Sequence, residues 1–382
     1  MLKNIEPAAA EGPVGATTRL TVDISAIAAN WRMLAGLAAP AVAGAAVKGD
    51  AYGLGAARVA PALHAAGCRH FFVAHLGEGI ALRPHLPADA AIFVLHGIPK
   101  GTAEEFTAHG LTPVLNSLGD IAAWSRAGMA IQRALPAALH VDTGMSRLGL
   151  SAPEVERLCA APELLDGVSL DLVISHLACA DDPANPMTAA QRLRFLDICD
   201  RLPTTGRPFR RALANSAGIF WGADYAFDLV RPGIALYGGN PVNGRLAPVR
   251  PVVRLEAGIL QVREIDPPDT VGYGATHKVV RPTRVATVAV GYADGYLRAA
   301  GNRGLALIDG REVPVLGRIS MDLMTIDVTD VAPERCRPGM DITLVGDSLT
   351  IDRVAATMDT VSYELLTRLG RRFARVYTGG AA

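Results

Sequence analysis

Cysteine and aromatic residues are scarce in this 382-residue chain: five cysteines, and 5% Phe, Trp and Tyr together. Cys68, Cys159, Cys179, Cys199 and Cys336 are odd in number and show no paired spacing. That excludes a disulfide-stapled scaffold and a thiolate metal module, and leaves reduced, mostly packed thiols. Neither sign of charge is in excess, with Lys plus Arg and Asp plus Glu at 37 each. Without a basic surplus or a polybasic tract, neither nucleic acid nor a membrane surface is an expected partner. Long hydrophobic runs are missing as well. The longest uncharged apolar stretch, 33–47, is broken by Gly36, Pro40 and Gly44, too short and interrupted to span a bilayer. Residues 1–17 lack the apolar core of a signal peptide, so a flexible N-terminal extension on a cytoplasmic protein is expected. There is no P-loop and no HExxH, and Gly53-x-Gly55 lacks the third glycine of a dinucleotide loop. No metal site is expected. Small-molecule chemistry is the class that remains.

What is present is rhythm. Half of the residues are hydrophobic, and the length exceeds one average domain. From Asp23, placed as a helix cap, Ile24, Ile27, Trp31 and Leu34 recur at helical spacing. Short apolar runs then alternate with helical segments: Val42–Lys48, Phe71–His75, Ile92–Gly97, Thr112–Asn116, Ala137–Thr143, Leu172–Leu177, Arg211–Ser216 and Ile234–Gly238. Ser151-Ala-Pro-Glu154 and Thr188-Ala-Ala-Gln191 both match a capping box at the start of a helix. Such an α/β alternation over residues 18–246 fits a (β/α)8 TIM-type barrel, with an open doubly wound sheet as the competitor. The polar residues that end these runs (Lys48, His75, His96, Asn116, Asp142, His176, Ser216) favour the barrel, whose catalytic mouth lies at the C-terminal strand ends.

After about residue 247 the alternation stops. Segments rich in β-branched residues follow one another without long helices, and Asp309-Gly310 between two of them is a hairpin signal. The expectation for 247–382 is a mainly β C-terminal domain, with helix at 351–358 and 363–369 and a last strand at 373–377.

The apolar run that ends in Lys48 is the chemically awkward one, because a buried ammonium is costly unless something uses it. Alone, Lys48 reads as a strand-end lysine whose amine snorkels to solvent. The segment Ala46-Val-Lys-Gly-Asp-Ala-Tyr-Gly-Leu-Gly55, however, resembles the cofactor-attachment signature of alanine racemases. So do Val141–Gly149 (VDTGMSRLG), Ser175-His176, Ala214-Asn215-Ser216, Leu229–Ile234 (LVRPGI), Val271–Gly274 (VGYG), Gly291–Gly295 (GYADG), Gly317–Asp322 (GRISMD) and Ser362-Tyr-Glu364, in family order.

The resemblance implies a barrel followed by a β domain, pyridoxal 5′-phosphate carried on Lys48, and two-base racemisation of alanine. Lys48 would be one base, and Tyr273, on the opposite face of the cofactor, the other. Ser216, its neighbour Asn215 and the backbone amides of Gly233 and Ile234 would make the phosphate site, completed by Tyr52 and Tyr363. Arg231 would face the pyridine nitrogen, with His176 hydrogen-bonded to it. An always-charged guanidinium there disfavours ring protonation and weakens the electron sink. Arg147 would hold the cofactor's ring oxygen and the substrate carboxylate, Met321 would offer its backbone amide to that carboxylate, and Tyr292 would line the access route. Tyr273, Met321 and Tyr292 belong to the β domain, which in this family reaches the partner subunit's site, so a homodimer with shared active sites is implied. One departure stands out: His140 replaces a lysine that family members often carbamylate to brace the arginine at 147.

The activity implied is interconversion of L- and D-alanine, supplying D-alanine for peptidoglycan. A broad-specificity or serine-preferring racemase is the nearest alternative, since His140 alters the brace. A non-catalytic pyridoxal-phosphate-binding protein would be a lone barrel. A decarboxylase would carry an acidic partner for the ring nitrogen where this chain has Arg231.

Overall fold

The computed structural model describes residues 15–380; of the expected extension 1–17, residues 1–14 lie outside the described residues. The chain opens on strand β1 (Thr18–Asp23) and the helix Ile24–Ala38, whose first turn is capped by the Asp23 carboxylate accepting from the Ala26 N–H at 2.9 Å. Eight parallel strands follow: β2 (42–46, interrupted at Gly44), β3 (His70–Val73), β4 (Ala91–Val94), β5 (Leu111–Leu115), β6 (Leu135–His140), β7 (Val168–Ile174), β8 (Arg210–Ala212) and β9 (Leu229–Val230). Backbone bonds close the ring. Val42, Gly44 and Ala46 donate to the carbonyls of Asp228, Val230 and Pro232 at 3.0, 2.9 and 2.8 Å, and Arg231 donates to Ala214 at 2.9 Å. The strands are almost wholly buried, as a sheet covered on both faces requires.

Three expectations are corrected here. The eighth strand is Leu229–Val230, not Ile234–Gly238. Pro232 and Gly233 end the pairing, and Ile234–Tyr237 is a buried 3-10 turn whose apolar composition is that of a buried strand. β1, which begins the stretch 18–246 assigned to the barrel, pairs instead with two strands of the C-terminal sheet. At Ser151 the capping box forms, Glu154 accepting from the Ser151 N–H at 2.9 Å. At Thr188 it does not. The helix Met187–Arg201 already includes Thr188, which is buried, and Gln191 turns into the interior.

The C-terminal domain comprises β10 (Val253–Ile265), β11 (Thr283–Val288), β12 (Leu305–Ile308), β13 (Arg311–Leu316), β14 (Met324–Asp327), β15 (Asp341–Val345) and β16 (Ala374–Thr378). They form, with β1, one sheet in the order β11-β14-β13-β12-β15-β10-β1-β16, and β11 also pairs with the far half of β10. All pairings among them are antiparallel except β1 with β16. Asp309 and Gly310 make the two-residue turn between β12 and β13 with φ of 52° and 77°, the left-handed pair that suits an Asp-Gly hairpin. Helices at Ile351–Thr357 and Ser362–Arg368 bring residues 361–367 over the mouth of the barrel. No helix among the described residues is long and apolar enough to cross a membrane.

Candidate active site

At the C-terminal ends of the barrel strands lies a cavity of about 1030 Å³. Lys48, Tyr52, Arg147, His176, Asn215, Ser216, Arg231, Gly233, Ile234 and Tyr363 all line it. Six sequence blocks thus contribute through one mouth, as a barrel permits.

Lys48 begins a turn that the sequence does not announce. Gly49, Asp50, Ala51 and Tyr52 all have left-handed backbone angles, with φ between 54° and 64°. For the three non-glycine residues that costs about 1–2 kcal/mol each. Surrounding bonds hold the turn. Glu78 Oε1 accepts from the Gly49 N–H at 2.7 Å, the Asp50 carboxylate accepts from Ala56 at 2.7 Å, and Arg375 donates to the Gly53 carbonyl at 2.6 Å. The turn buries Tyr52 against Tyr237, ring centroids 4.6 Å apart, with Tyr363 6.1 Å away on its other side. The Tyr52 hydroxyl sits so close to Gly233 that no side chain would fit there.

The electrostatics are cationic. Burial lowers the Lys48 pKa from that of an ordinary lysine, Arg147 and Arg231 lower it further, and Glu78 opposes them. Burial also lowers Arg231 to about 10. This guanidinium is 8% exposed and has no carboxylate partner among the described residues; it donates to the carbonyls of Ser175 and of Leu213, the latter at 3.3 Å, and stands 6.0 Å from the Phe72 ring centroid. Its Nε–H is buried with no acceptor among the described residues. The expected bond between Arg231 and His176 is not formed among the described residues. Arg231 reaches backbone carbonyls because β7 and β8 end beside it. His176 titrates well below the ordinary range, through burial first and Arg231 and Arg147 next, so it stands as a neutral imidazole.

Ser216, 3% exposed, starts a short helix that Asn215 caps by accepting from the Gly218 N–H at 3.0 Å. The Ser216 Oγ accepts from the Gly233 N–H at 2.8 Å and from the Ala235 N–H at 3.3 Å, so hydroxyl and turn amides converge on one spot. Burial raises the Tyr363 hydroxyl to about 12, helped by Asp181 and Asp352.

Arg147 follows a loop folded around Asp142, whose carboxylate accepts from the N–H groups of Gly144, Met145 and Ser146 at 2.9 to 3.1 Å. Beside it, His140 Nδ1 lies 2.8 Å from Asn116 Oδ1. The Asn116 amide nitrogen is committed to the carbonyls of Leu95 and Val114, at 2.9 and 3.0 Å. Asn116 therefore presents oxygen, His140 carries its proton on Nδ1, and Nε2 is left as an acceptor. Burial chiefly, then Arg231, lowers His140 from 6.5 to about 4. The native state thus favours the uncharged ring, and stability present above pH 6.5 is lost as pH falls toward 4, where the unfolded chain binds the extra proton. About 3 kcal/mol is at stake. The thermal midpoint is expected to drop between pH 6.5 and 4, and the drop to be shallower in His140→Gln; equal slopes would contradict this.

Tyr273, Met321 and Tyr292 do not line this cavity. They lie in the β domain, 71%, 53% and 42% exposed. A single chain does not bring them to Lys48. Conversely, Glu78 and Phe72 belong to the site's framework without being singled out by the sequence, and Asn116 and Asp142, two of the polar strand ends, brace it through hydrogen bonds that the sequence does not show. Glu78 had a signal, the spacing His75-Leu-Gly-Glu78, hidden because histidine is an unusual capping residue. Its second oxygen accepts from Ala74 at 2.7 Å and from His75 at 3.2 Å.

The chain matches the family model for the alanine racemase N-terminal domain over residues 22–241 and that for the C-terminal domain over residues 252–377. It is 52% identical to an alanine racemase of Rhodospirillum rubrum, over 95% of this chain and 96% of that one. With an alanine racemase of Brucella abortus the identity is 45%, over 94% and 93% of the two chains. Among solved structures, alanine racemase from Bartonella henselae with covalently bound pyridoxal phosphate superposes with a TM-score of 0.90 at 40% identity, covering 95% and 99% of the chains. The biosynthetic alanine racemase from Pseudomonas aeruginosa gives 0.85 at 36% identity, covering 95% and 99%. On sequence and architecture together, the chain belongs to the alanine racemase family.

Proposed function

We propose that the chain is a pyridoxal-phosphate-dependent alanine racemase in which Lys48 and Tyr273 exchange the Cα proton from opposite sides. The observation that carries this is the half-buried Lys48 amine, held below its ordinary pKa at a mouth that also presents a buried arginine whose Nε–H has no acceptor among the described residues.

The residues present fit the cofactor. Lys48 supplies the amine for covalent attachment. Ser216, with Asn215 behind it, the Ile234 N–H, the Tyr52 and Tyr363 hydroxyls, and the Gly233 N–H on leaving the Ser216 Oγ would be the donors for a phosphate. The orphan Nε–H of Arg231 calls for an acceptor such as an unprotonated pyridine nitrogen, and the neutral His176 adds no competing charge. When bound, pyridoxal phosphate supplies delocalisation of the electron pair released at the substrate's Cα. Everything else falls to the protein. Arg147 pairs with the substrate carboxylate, assisted by the Met321 amide. Lys48 Nζ takes or returns the proton on one face of Cα. Tyr273 Oη does so on the other, and Tyr292 lines the route in. Proton transfer in both directions through two different bases is what makes the reaction a racemisation.

The Tyr273, Met321 and Tyr292 roles require a second copy of the chain. Leu148, Val361 and Tyr363 leave 41%, 59% and 43% of their surface exposed at the cavity mouth, and Tyr273, Tyr292, Met321 and Leu323 are exposed in the β domain. Exposed apolar side chains at the mouth and in the β domain suit a head-to-tail homodimer with two composite sites. The D-alanine made would serve peptidoglycan synthesis in the cytoplasm. A broader or serine-preferring specificity is the second reading, favoured by the uncharged His140–Asn116 pair beside Arg147.

Holoenzyme incubated with L-alanine or L-serine in deuterated water tests both. Loss of the Cα–H signal with loss of optical rotation is expected for alanine; exchange with neither amino acid would sink the racemase reading, and faster exchange with serine would favour the second one.

A further inference from the structure

We propose that Gln191 is a positioning residue that locks the Arg147 loop and the His176 strand end to one helix. The assignment rests on the reading that Arg147 and His176 serve the reaction. Gln191 stands one turn into the helix Met187–Arg201 and has no exposed surface. A buried primary amide needs partners for two donors and one acceptor, and here all are supplied by the ends of two neighbouring barrel strands. Its Nε2 donates to the Thr143 Oγ1 at 3.1 Å and to the His176 carbonyl at 2.9 Å. Its Oε1 accepts from the Ala178 N–H at 2.8 Å. Thr143, 1% exposed, extends the network to the Ser175 hydroxyl at 2.8 Å. Ser175 in turn accepts from Arg231 through its carbonyl.

Gln191 therefore connects two loops that no strand pairing joins beyond the end of β7. Thr143 lies four residues before Arg147, just where Asp142 begins folding the loop back. His176 and Ala178 flank the turn that leaves β7. Arg194, one turn further along the same helix, donates to the Thr143 carbonyl at 3.0 Å, so the helix holds this loop at two points. The arrangement fixes the separation between the carboxylate-binding arginine and the Arg231–His176 side of the mouth, and displacement of either by about 1 Å costs on the order of 10²-fold in rate. Cutting one amide should loosen both sides together, because a buried network behaves as a unit.

Hydrogen exchange and kinetics on the holoenzyme test this. In Gln191→Met, which keeps the side chain's length and removes every polar atom, exchange is expected to rise at least ~10-fold in 142–149 and 176–181 and to stay unchanged in β3 and β4, as for a local opening. The KM for alanine should rise and kcat/KM fall ~10–100-fold. Gln191→Glu retains the acceptor for Ala178 and can accept from a turned Thr143 hydroxyl, but it leaves the His176 carbonyl without its donor, so it should spare 142–149 more than 176–181. Unchanged exchange in both segments, or an equal rise throughout the barrel, would overturn the proposal. If Gln191→Met does not fold, Thr143→Val removes the hydroxyl that Gln191 and Ser175 share, and faster exchange in 142–149 with β3 and β4 unchanged is then the required result. Arg147→Leu separates the two readings. Full activity there would dismiss the role of Arg147, whereas loss there with a fully active and protected Gln191→Met would dismiss only the role of Gln191.

Discussion

Lys48→Ala is expected to abolish alanine racemisation, by at least ~10⁴-fold, with the thermal midpoint unchanged or raised. A positioned base alone is worth about 10²–10⁴-fold, and the covalent anchor is lost with it. The stability side follows from the site's charge. The amine is half-buried beside two arginines, its pKa is lowered, and Glu78 alone among its charged neighbours favours the protonated form. A desolvated amine among like charges is a liability for folding, tolerated because the chemistry needs it. D-alanine formation and thermal unfolding of parent and variant measure both halves. Residual activity within tenfold of the parent would remove Lys48 from the mechanism, and a sharply lower midpoint would contradict the charge argument.

Tyr273→Phe is the second large effect, a loss of about 10²–10⁴-fold in racemisation with the cofactor's absorbance retained. Deleting one oxygen from a side chain that is 71% exposed in the single chain should hardly touch folding. The sharper test is complementation. Lys48→Ala and Tyr273→Phe subunits are each inactive, yet a mixed dimer holds one site with both bases and one with neither. At equal mixing and free exchange, ~25% of the parent's activity should return, because half the dimers are mixed and half their sites intact. No recovery despite demonstrated exchange would place both bases on one chain and require a different path for Tyr273 to reach Lys48.

How much of this was legible beforehand varies element by element. Lys48, His176 and Ser216 were readable as polar strand ends, because strand ends of a barrel converge whatever the helices between them do, whereas Arg147 and Arg231 were readable only through the family resemblance of their motifs. Asp23, Ser151 and the Asp309-Gly310 turn were readable because their physics is local, a cap or a two-residue loop satisfied within a few positions. Thr188-Ala-Ala-Gln191 looked equally local and was not. Its glutamine had stronger offers from Thr143, His176 and Ala178, partners 13 to 48 residues away in sequence. Ile234–Gly238 was misread because a buried 3-10 turn and a buried strand share one composition, and only the pairing of β9 with β2 tells them apart.

By itself, the sequence determined the alternation of the barrel, the change to antiparallel strands near residue 247 and the kinds of chemical group at each strand end. Those follow from periodicity and from turn chemistry, which act over a few residues. Tertiary structure alone decided that β1 joins the C-terminal sheet, that Lys48 opens a left-handed turn, and that His140 stays neutral with its proton on Nδ1. It also decided that Arg231 finds no carboxylate and that Tyr273 stays outside its own chain's cavity. Each of these depends on what lies opposite a residue in space: a sheet edge, a Glu78 carboxylate, an Asn116 oxygen. Short-range pattern carries no record of such neighbours.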